Sequence, residues 1–280
     1  MRQRPIAKVG FNALGLVVFA LSVFPVYWMV TTGFKPSEEI FTTDFIPFPI
    51  NPTFEHLDRV FNQGVAGNSI WVYMGNSLIV ALGAVVFSGF FALLGATAIA
   101  RYRFRGRSAY LILLLVIQMI PGEAMIIPLY VMLIRLGLTD QLFGLILVNA
   151  GSALPFGIWM LRTFVAAVPV ELEEAAWLDG ASRWTAYWRV VFPLVAPGLV
   201  ATSIFSFITA WNEFVFALTL IRTQSNYTMP VALNFFISQR GADVGAIMSA
   251  ATLMTIPVVV FFLIVQRRLV AGLTAGAVRG

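Results

Sequence analysis

The chain has 280 residues, of which 59% are hydrophobic and 11% charged, far below the roughly 25% charged content of soluble domains. With a mean hydropathy of +0.87 and long unbroken runs of Leu, Val, Ile and Phe, an ordinary water-soluble globule is excluded and lipid is the expected solvent. The absence of cysteine excludes disulfides, thiolate metal sites and cysteine nucleophiles. The net charge of +5 comes from basic residues at the ends of apolar runs, which is a topology pattern and offers no face to nucleic acid.

About 20 apolar residues cross a bilayer as helix. Six stretches qualify, at about 11–31, 76–100, 108–133, 142–163, 194–220 and 245–266, so the expected fold is an all-α polytopic membrane protein with six spans in one transmembrane domain. Arg2, Arg4 and Lys8 precede the first stretch. It is too long for a secretory signal and lacks a clear small-residue cleavage site, so it is expected to remain as the first helix. Lys and Arg gather in alternate connections: at the N-terminus, from Arg101 to Arg107, from Arg162 to Arg189, and at Arg267, Arg268 and Arg279. The intervening connections hold only Lys35, Arg59, Arg135, Arg222 and Arg240. Positive charge stays inside, so both termini are expected in the cytoplasm.

Three connections are long. The first outer one, 33–68, carries Pro36, Pro47, Pro49 and Pro52 beside Phe45, Phe48 and Phe54, and is expected to run extended over the outer surface before a short helix near Glu55. The only histidine, His56, lies in this polar stretch and is expected as a solvated or capping side chain. The others are the cytoplasmic segment 164–193 and the outer loop 221–244, with Asn226, Tyr227 and Asn234 as its candidates for facing a partner.

Within the spans, Pro25, Pro121, Pro128, Pro155, Pro197 and Pro257 bend helices in the manner of a translocation pathway, though proline is also simply common in membrane helices. Ala84, Ser88, Ala92, Ala96 and Ala100 recur at spacing four and form a small-residue stripe that lets another helix approach closely. Glu123 and Glu213 are carboxylates within spans and must avoid lipid. Two readings stand: with Asn149, Trp211 and Asn212 they line the path, or each hydrogen-bonds freed backbone or a neighbouring helix.

The segment 169–192 is the most informative. Pro169 suits a first helical turn, and Glu171, Glu173 and Glu174 favour the helix N-terminus, so a helix of about ten residues begins here. Gly180 can end it in the left-handed region, and Ser182 can cap a second helix in which Trp184, Tyr187, Trp188 and Val191 form a stripe expected at headgroup level. Leu172, Ala175, Ala176 and Asp179 share a face of the first helix, small enough either to enter a groove on another protein or to lie on the membrane surface.

Glu174-Ala175-Ala176, Asp179-Gly180-Ala181, Pro193 and Pro197 match the EAA signature, and on them the chain resembles permease subunits of binding-protein-dependent ABC importers. Tyr187 and Phe192 replace a more usual phenylalanine and leucine with bulk retained. Phe207 to Phe214 (FITAWNEF), Tyr227-Thr228-Met229-Pro230 and the end Leu269 to Gly280 resemble the carbohydrate-uptake branch, in particular its maltose-type second permease. His56-Leu57 departs from the Asn-Tyr pair common there.

The resemblance implies a type I importer permease fold in a bacterial plasma membrane. It also implies a coupling helix, carried by Glu174, Ala175, Ala176, Asp179, Gly180 and Ala181, that sits in a cleft of the cytoplasmic ATPase. The implied partners are a second homologous permease, an ATPase dimer, an extracytoplasmic binding protein or lipoprotein, and membrane lipid. Residues 269–280 would reach the ATPase and 221–244 the binding protein. The cargo implied is a di- or oligosaccharide such as maltose or trehalose, with glycerol phosphate or another small solute as the alternative.

No cofactor is expected in this chain. Its lysines, Lys8 before Val9 and Lys35 before Pro36, form no phosphate-binding Gly-Lys-Ser/Thr loop, so ATP and Mg are expected on the partner ATPase. An ion-coupled secondary transporter built on Glu123 and Glu213 is the competing class. It lacks inverted halves and leaves the EAA-like segment without a role. A membrane enzyme lacks a nucleophile and base constellation.

Overall fold

The computed structural model describes residues 5–65, 67–238 and 241–277. Its elements in chain order are α1 (Pro5–Thr32), α2 (Ile70–Arg101), α3 (Arg107–Gln118), α4 (Ile126–Arg135), α5 (Leu142–Ala167), α6 (Val170–Leu178), α7 (Arg183–Trp211), α8 (Val215–Leu220) and α9 (Val244–Ala277), with one-turn helices between them. A two-residue antiparallel pairing of Ile237–Ser238 with Gly241–Ala242 is the strand content among the described residues, and the fold is all-α as expected. Among the described residues five helices are long and apolar enough to cross a membrane, six if the bent pair α3 and α4 makes one span.

Two expected spans are not single helices. The stretch 108–133 is α3 and α4, which meet at 97° across a tight turn at Gly122–Met125. Pro121 lacks an N–H and pushes the residue before it out of the helical region, so the ladder stops there. The stretch 194–220 contains a helix that ends at Trp211 and the short α8, with Asn212–Phe214 non-helical between them.

The chain divides into two compact units. One comprises 71–231 with 258–280. Here the small-residue stripe is a packing surface: Ala84, Ser88, Ala92 and Ala96 are buried. A Cβ at Gly157 of α5 would lie 2.9 Å from the Ala92 Cβ, and Ser88 Oγ lies 3.1 Å from Ser206 Oγ of α7. The close partners are therefore α5 and α7 of the same chain, where dispersion contact replaces the hydrophobic drive that lipid removes. Towards one end of this packing Leu93, Ile99, Leu161, Val165, Val191 and Val195 form a cluster. Towards the other, Val80, Leu133, Leu145, Ala217, Leu220 and Val231 form a second.

The other unit comprises 1–70 with 232–257, and its connection after α1 differs from expectation. It does not run extended over a surface but folds back on the end of α1. Phe45 stacks on Trp28, the Tyr27 hydroxyl donates to Pro47 O at 2.7 Å, and the Glu39 carboxylate accepts the N–H groups of Ile50 and Asn51. Lys35 is buried, with Nζ donating to Ile46 O and lying 4.0 Å from the Trp28 ring centre. His56 is likewise buried at 1% exposure, not solvated. Its Nε2 lies 3.1 Å from Lys35 O and its Nδ1 3.7 Å from the Asp243 carboxylate, and it packs on Gly245, where a Cβ would fall 2.3 Å from the ring. Asp243 accepts Ala246 N–H at the start of α9 and pairs with Arg59. Polarity of the surrounding sequence misplaced His56 because the partners that bury it are remote in sequence.

Candidate functional site

α5 stops at Ala167 because Val168 and Pro169 are extended, with ψ of 121° and 134°. Pro169 takes the N-cap position, and α6 follows with Glu171 and Glu173 in its first turn, where the helix dipole favours carboxylates. At the other end Gly180 has φ +85°. Its N–H donates to Trp177 O at 3.0 Å and the Ala181 N–H donates to Ala176 O at 2.9 Å. These are the two bonds of a Schellman closure. This helix end asks for glycine at position 180, while Ala176 and Ala181 contribute only backbone groups. Ser182 then accepts the Thr185 N–H at 3.1 Å and caps α7.

The residues of the EAA-like segment separate by direction. Glu174, Ala175, Asp179 and Gly180 are exposed, while Ala176 and Ala181 are half-buried. Leu178 is 90% exposed, leaving apolar surface on the tip of α6. The expected stripe at the start of α7 divides. Trp184 is exposed and packs edge-on against Trp188, whereas Val191 is buried and the Tyr187 hydroxyl lies 3.0 Å from Thr97 Oγ1 of α2. Glu173 turns inward to Arg101 of α2, at 2.7 Å. Sequence reasoning missed this pair: the partners are 72 positions apart, and no local pattern links them.

The path candidates are mostly engaged locally. Asn149 is buried and donates to Leu145 O, and Asn212 is exposed and donates to Ile208 O, both one turn back in the chain. Trp211 is buried and stacked on Phe207. Glu213 accepts the N–H groups of Phe216 and Ala217 at 2.6 and 3.0 Å, which caps α8. This is the backbone-bonding alternative for that residue. Glu123 is exposed in the turn between α3 and α4. Inside that elbow lies a hollow of about 490 Å³ lined by Met125, Leu129, Met132, Gly151, Pro155 and Phe216.

In the loop 221–244, Asn226 donates to Asp140 O at 2.9 Å, Tyr227 is half-buried with its carbonyl accepting from Asn76, and Asn234 is exposed. Gln239 and Arg240 of this loop, and 278–280 of the tail, lie outside the described residues. The tail up to Ala277 continues α9.

Residues 88–275 match the family model described as binding-protein-dependent transport system inner membrane component. The chain belongs to that family. Such inner-membrane components are non-catalytic transport subunits of ABC importers, and the chain is a multi-pass membrane protein. As a member, it is 43% identical over its full length, and over the full length of the relative, to the diacetylchitobiose uptake system permease protein DasC of Streptomyces coelicolor. It is 37% identical to the trehalose transport system permease protein SugB of Mycobacterium tuberculosis, covering 95% of this chain and 96% of that one. Its fold is shared with a chain of a bacterial ABC transporter that imports the acidic polysaccharide alginate, at a TM-score of 0.78 and 22% identity, with 95% and 98% of the two chains covered.

Proposed function

We propose that this permease carries di- or oligosaccharides as one half of the translocation pathway of an ATP-driven importer. Both termini lie in the cytoplasm, a second homologous permease supplies the other half, and a binding protein delivers the sugar. ATP and Mg bind a partner ATPase dimer, whose closure draws the coupling helices together and turns the cavity from inward-facing to outward-facing. The α6 segment receives that motion through Glu174, Ala175, Asp179 and Gly180.

The observation that carries this reading is the form of α6. It is a short helix held by a Schellman end, with its motif residues Glu174, Ala175, Asp179 and Gly180 and the apolar Leu178 turned outward. The sugar class is supported by relatives named for diacetylchitobiose and trehalose uptake. Glu174→Lys and Gly180→Pro in the assembled importer are expected to abolish sugar uptake and its coupling to ATP hydrolysis while membrane insertion persists. Uptake at the wild-type rate in either variant refutes the coupling role. Ligand affinity of the cognate binding protein identifies the sugar.

A further inference from the structure

The cytoplasmic end of α2 is fastened to α6 and to the residue just before it. Arg101, the last residue of α2, donates through Nη2 to the carbonyl of Val168 at 2.9 Å, immediately before α6. Its Nε lies 2.7 Å from the Glu173 carboxylate inside α6, with the two side chains only 11% and 13% exposed. One turn earlier on α2, the Thr97 hydroxyl meets the Tyr187 hydroxyl of α7.

Each charge of the pair also sits where its own helix favours it, Arg101 at a C-terminus and Glu173 in a first turn. Arg101 thus holds the Val168 carbonyl by a directed hydrogen bond and Glu173 by a close ion pair without a directed N–H···O bond, an arrangement of two nitrogens on one planar group that a lysine ammonium cannot reproduce. Beside the pair lies an open hollow of about 460 Å³, lined by Leu94, Ala98, Trp177 and Trp184 among others, while Val168 packs in the same apolar cluster as Ala96 and Ile99 of α2. The Arg101–Glu173 pair joins α2 to a residue inside α6.

We propose that Arg101 is a positioning residue that rivets α6 to α2, so that movement of the coupling helix is delivered to α2 directly as well as along the chain to α5 and α7. The inference rests on the coupling reading of α6. It places the small-residue face of α2, packed on α5 and α7, under direct control of the nucleotide cycle.

The natural absence of cysteine makes a label experiment available. Spin labels at Leu178→Cys and Tyr102→Cys report the α6 to α2 separation in the assembled importer in vesicles, with and without ATP and vanadate. The pair is measured in the otherwise wild-type chain, in Arg101→Lys, in Glu173→Gln, and in the exchange Arg101→Glu with Glu173→Arg. A single label at Leu178→Cys, read against a label on the ATPase, follows α6 itself.

The expected result is an unchanged, narrow α6 to α2 distance on nucleotide trapping in the wild type. It should broaden or shift in Arg101→Lys and Glu173→Gln while the ATPase still co-purifies, and narrow again in the exchange. ATP hydrolysed per sugar transported should rise by about fivefold or more in the single variants, the scale of a lost coupling interaction. A wild-type distance that changes on trapping, or single variants indistinguishable from wild type, overturns the rivet. Failure of the Leu178 label to approach the ATPase label overturns the coupling reading itself, and the rivet with it.

Discussion

Asp140 and Thr223 are joined twice. The Asp140 carboxylate accepts the Thr223 N–H at 2.8 Å and, through its second oxygen, the Thr223 hydroxyl. The same carboxylate accepts the Arg222 N–H, and Asp140 itself has φ +61°, a conformation that Asp tolerates better than most residues. The α4 to α5 connection thus organises the first residues of the loop 221–244 that is proposed to meet the binding protein.

The Thr223 hydroxyl, followed by the backbone N–H groups of Thr223 and Arg222, holds the Asp140 carboxyl below the usual carboxylate range. A depressed native value means that the carboxylate adds stability above its unfolded pKa and loses it as pH falls through the native one. Asp140→Asn should lower the melting temperature of the purified importer by a few degrees at pH 7. The gap between variant and wild type should shrink below about pH 4. A gap that is independent of pH refutes the assignment.

Gly180 is the position where α6 must turn left-handed. A Cβ there meets nothing within 4 Å, so Gly180→Ala tests conformation alone and should cost about 1 kcal/mol. Gly180→Asn should cost less. Thermal unfolding in detergent measures both, and equal stability of all three would contradict the left-handed closure.

Glu213 caps α8 through two backbone bonds, which leaves no need for it to carry protons. Glu213→Gln keeps one acceptor oxygen and loses the second backbone bond, so it should weaken the cap while transport continues at near the wild-type rate, without sensitivity to a proton gradient. Glu213→Ala should lose about 1 kcal/mol as a missing cap. Gradient-dependent uptake that Glu213→Gln abolishes would favour the proton-relay alternative.

Gly144 opens the packing at the start of α5, where a Cβ would fall 2.2 Å from the Leu138 carbonyl oxygen. That neighbour is backbone and cannot rotate away. Gly144→Ala should destabilise by about 1–3 kcal/mol, whereas Gly151→Ala, with nothing within 4 Å, should be close to neutral. Paired melting curves of the two variants decide the point.

Much of the fold was legible because its signals are local. Span positions follow from runs of apolar residues, the stop after α6 from one glycine, and the start of α7 from Ser182. The end of the EAA-like segment was legible for the same reason, since its left-handed turn favours a glycine at position 180. Proline pointed to a bend in the third span at Pro121, but not to its 97° angle, because the angle depends on what the freed turn packs against.

From its sequence alone this protein is determined as lipid-embedded, helical, and equipped with a short capped helix between its fourth and fifth spans. Hydropathy and backbone preference act over one or a few turns, so a one-dimensional reading reaches them. Only the tertiary structure decided that His56 is buried, that the stripe of α2 meets helices of its own chain, and that Arg101 grips Glu173. Each of those depends on which distant residues the fold brings within 3 to 4 Å, the range over which hydrogen bonds, ion pairs and dispersion contacts act.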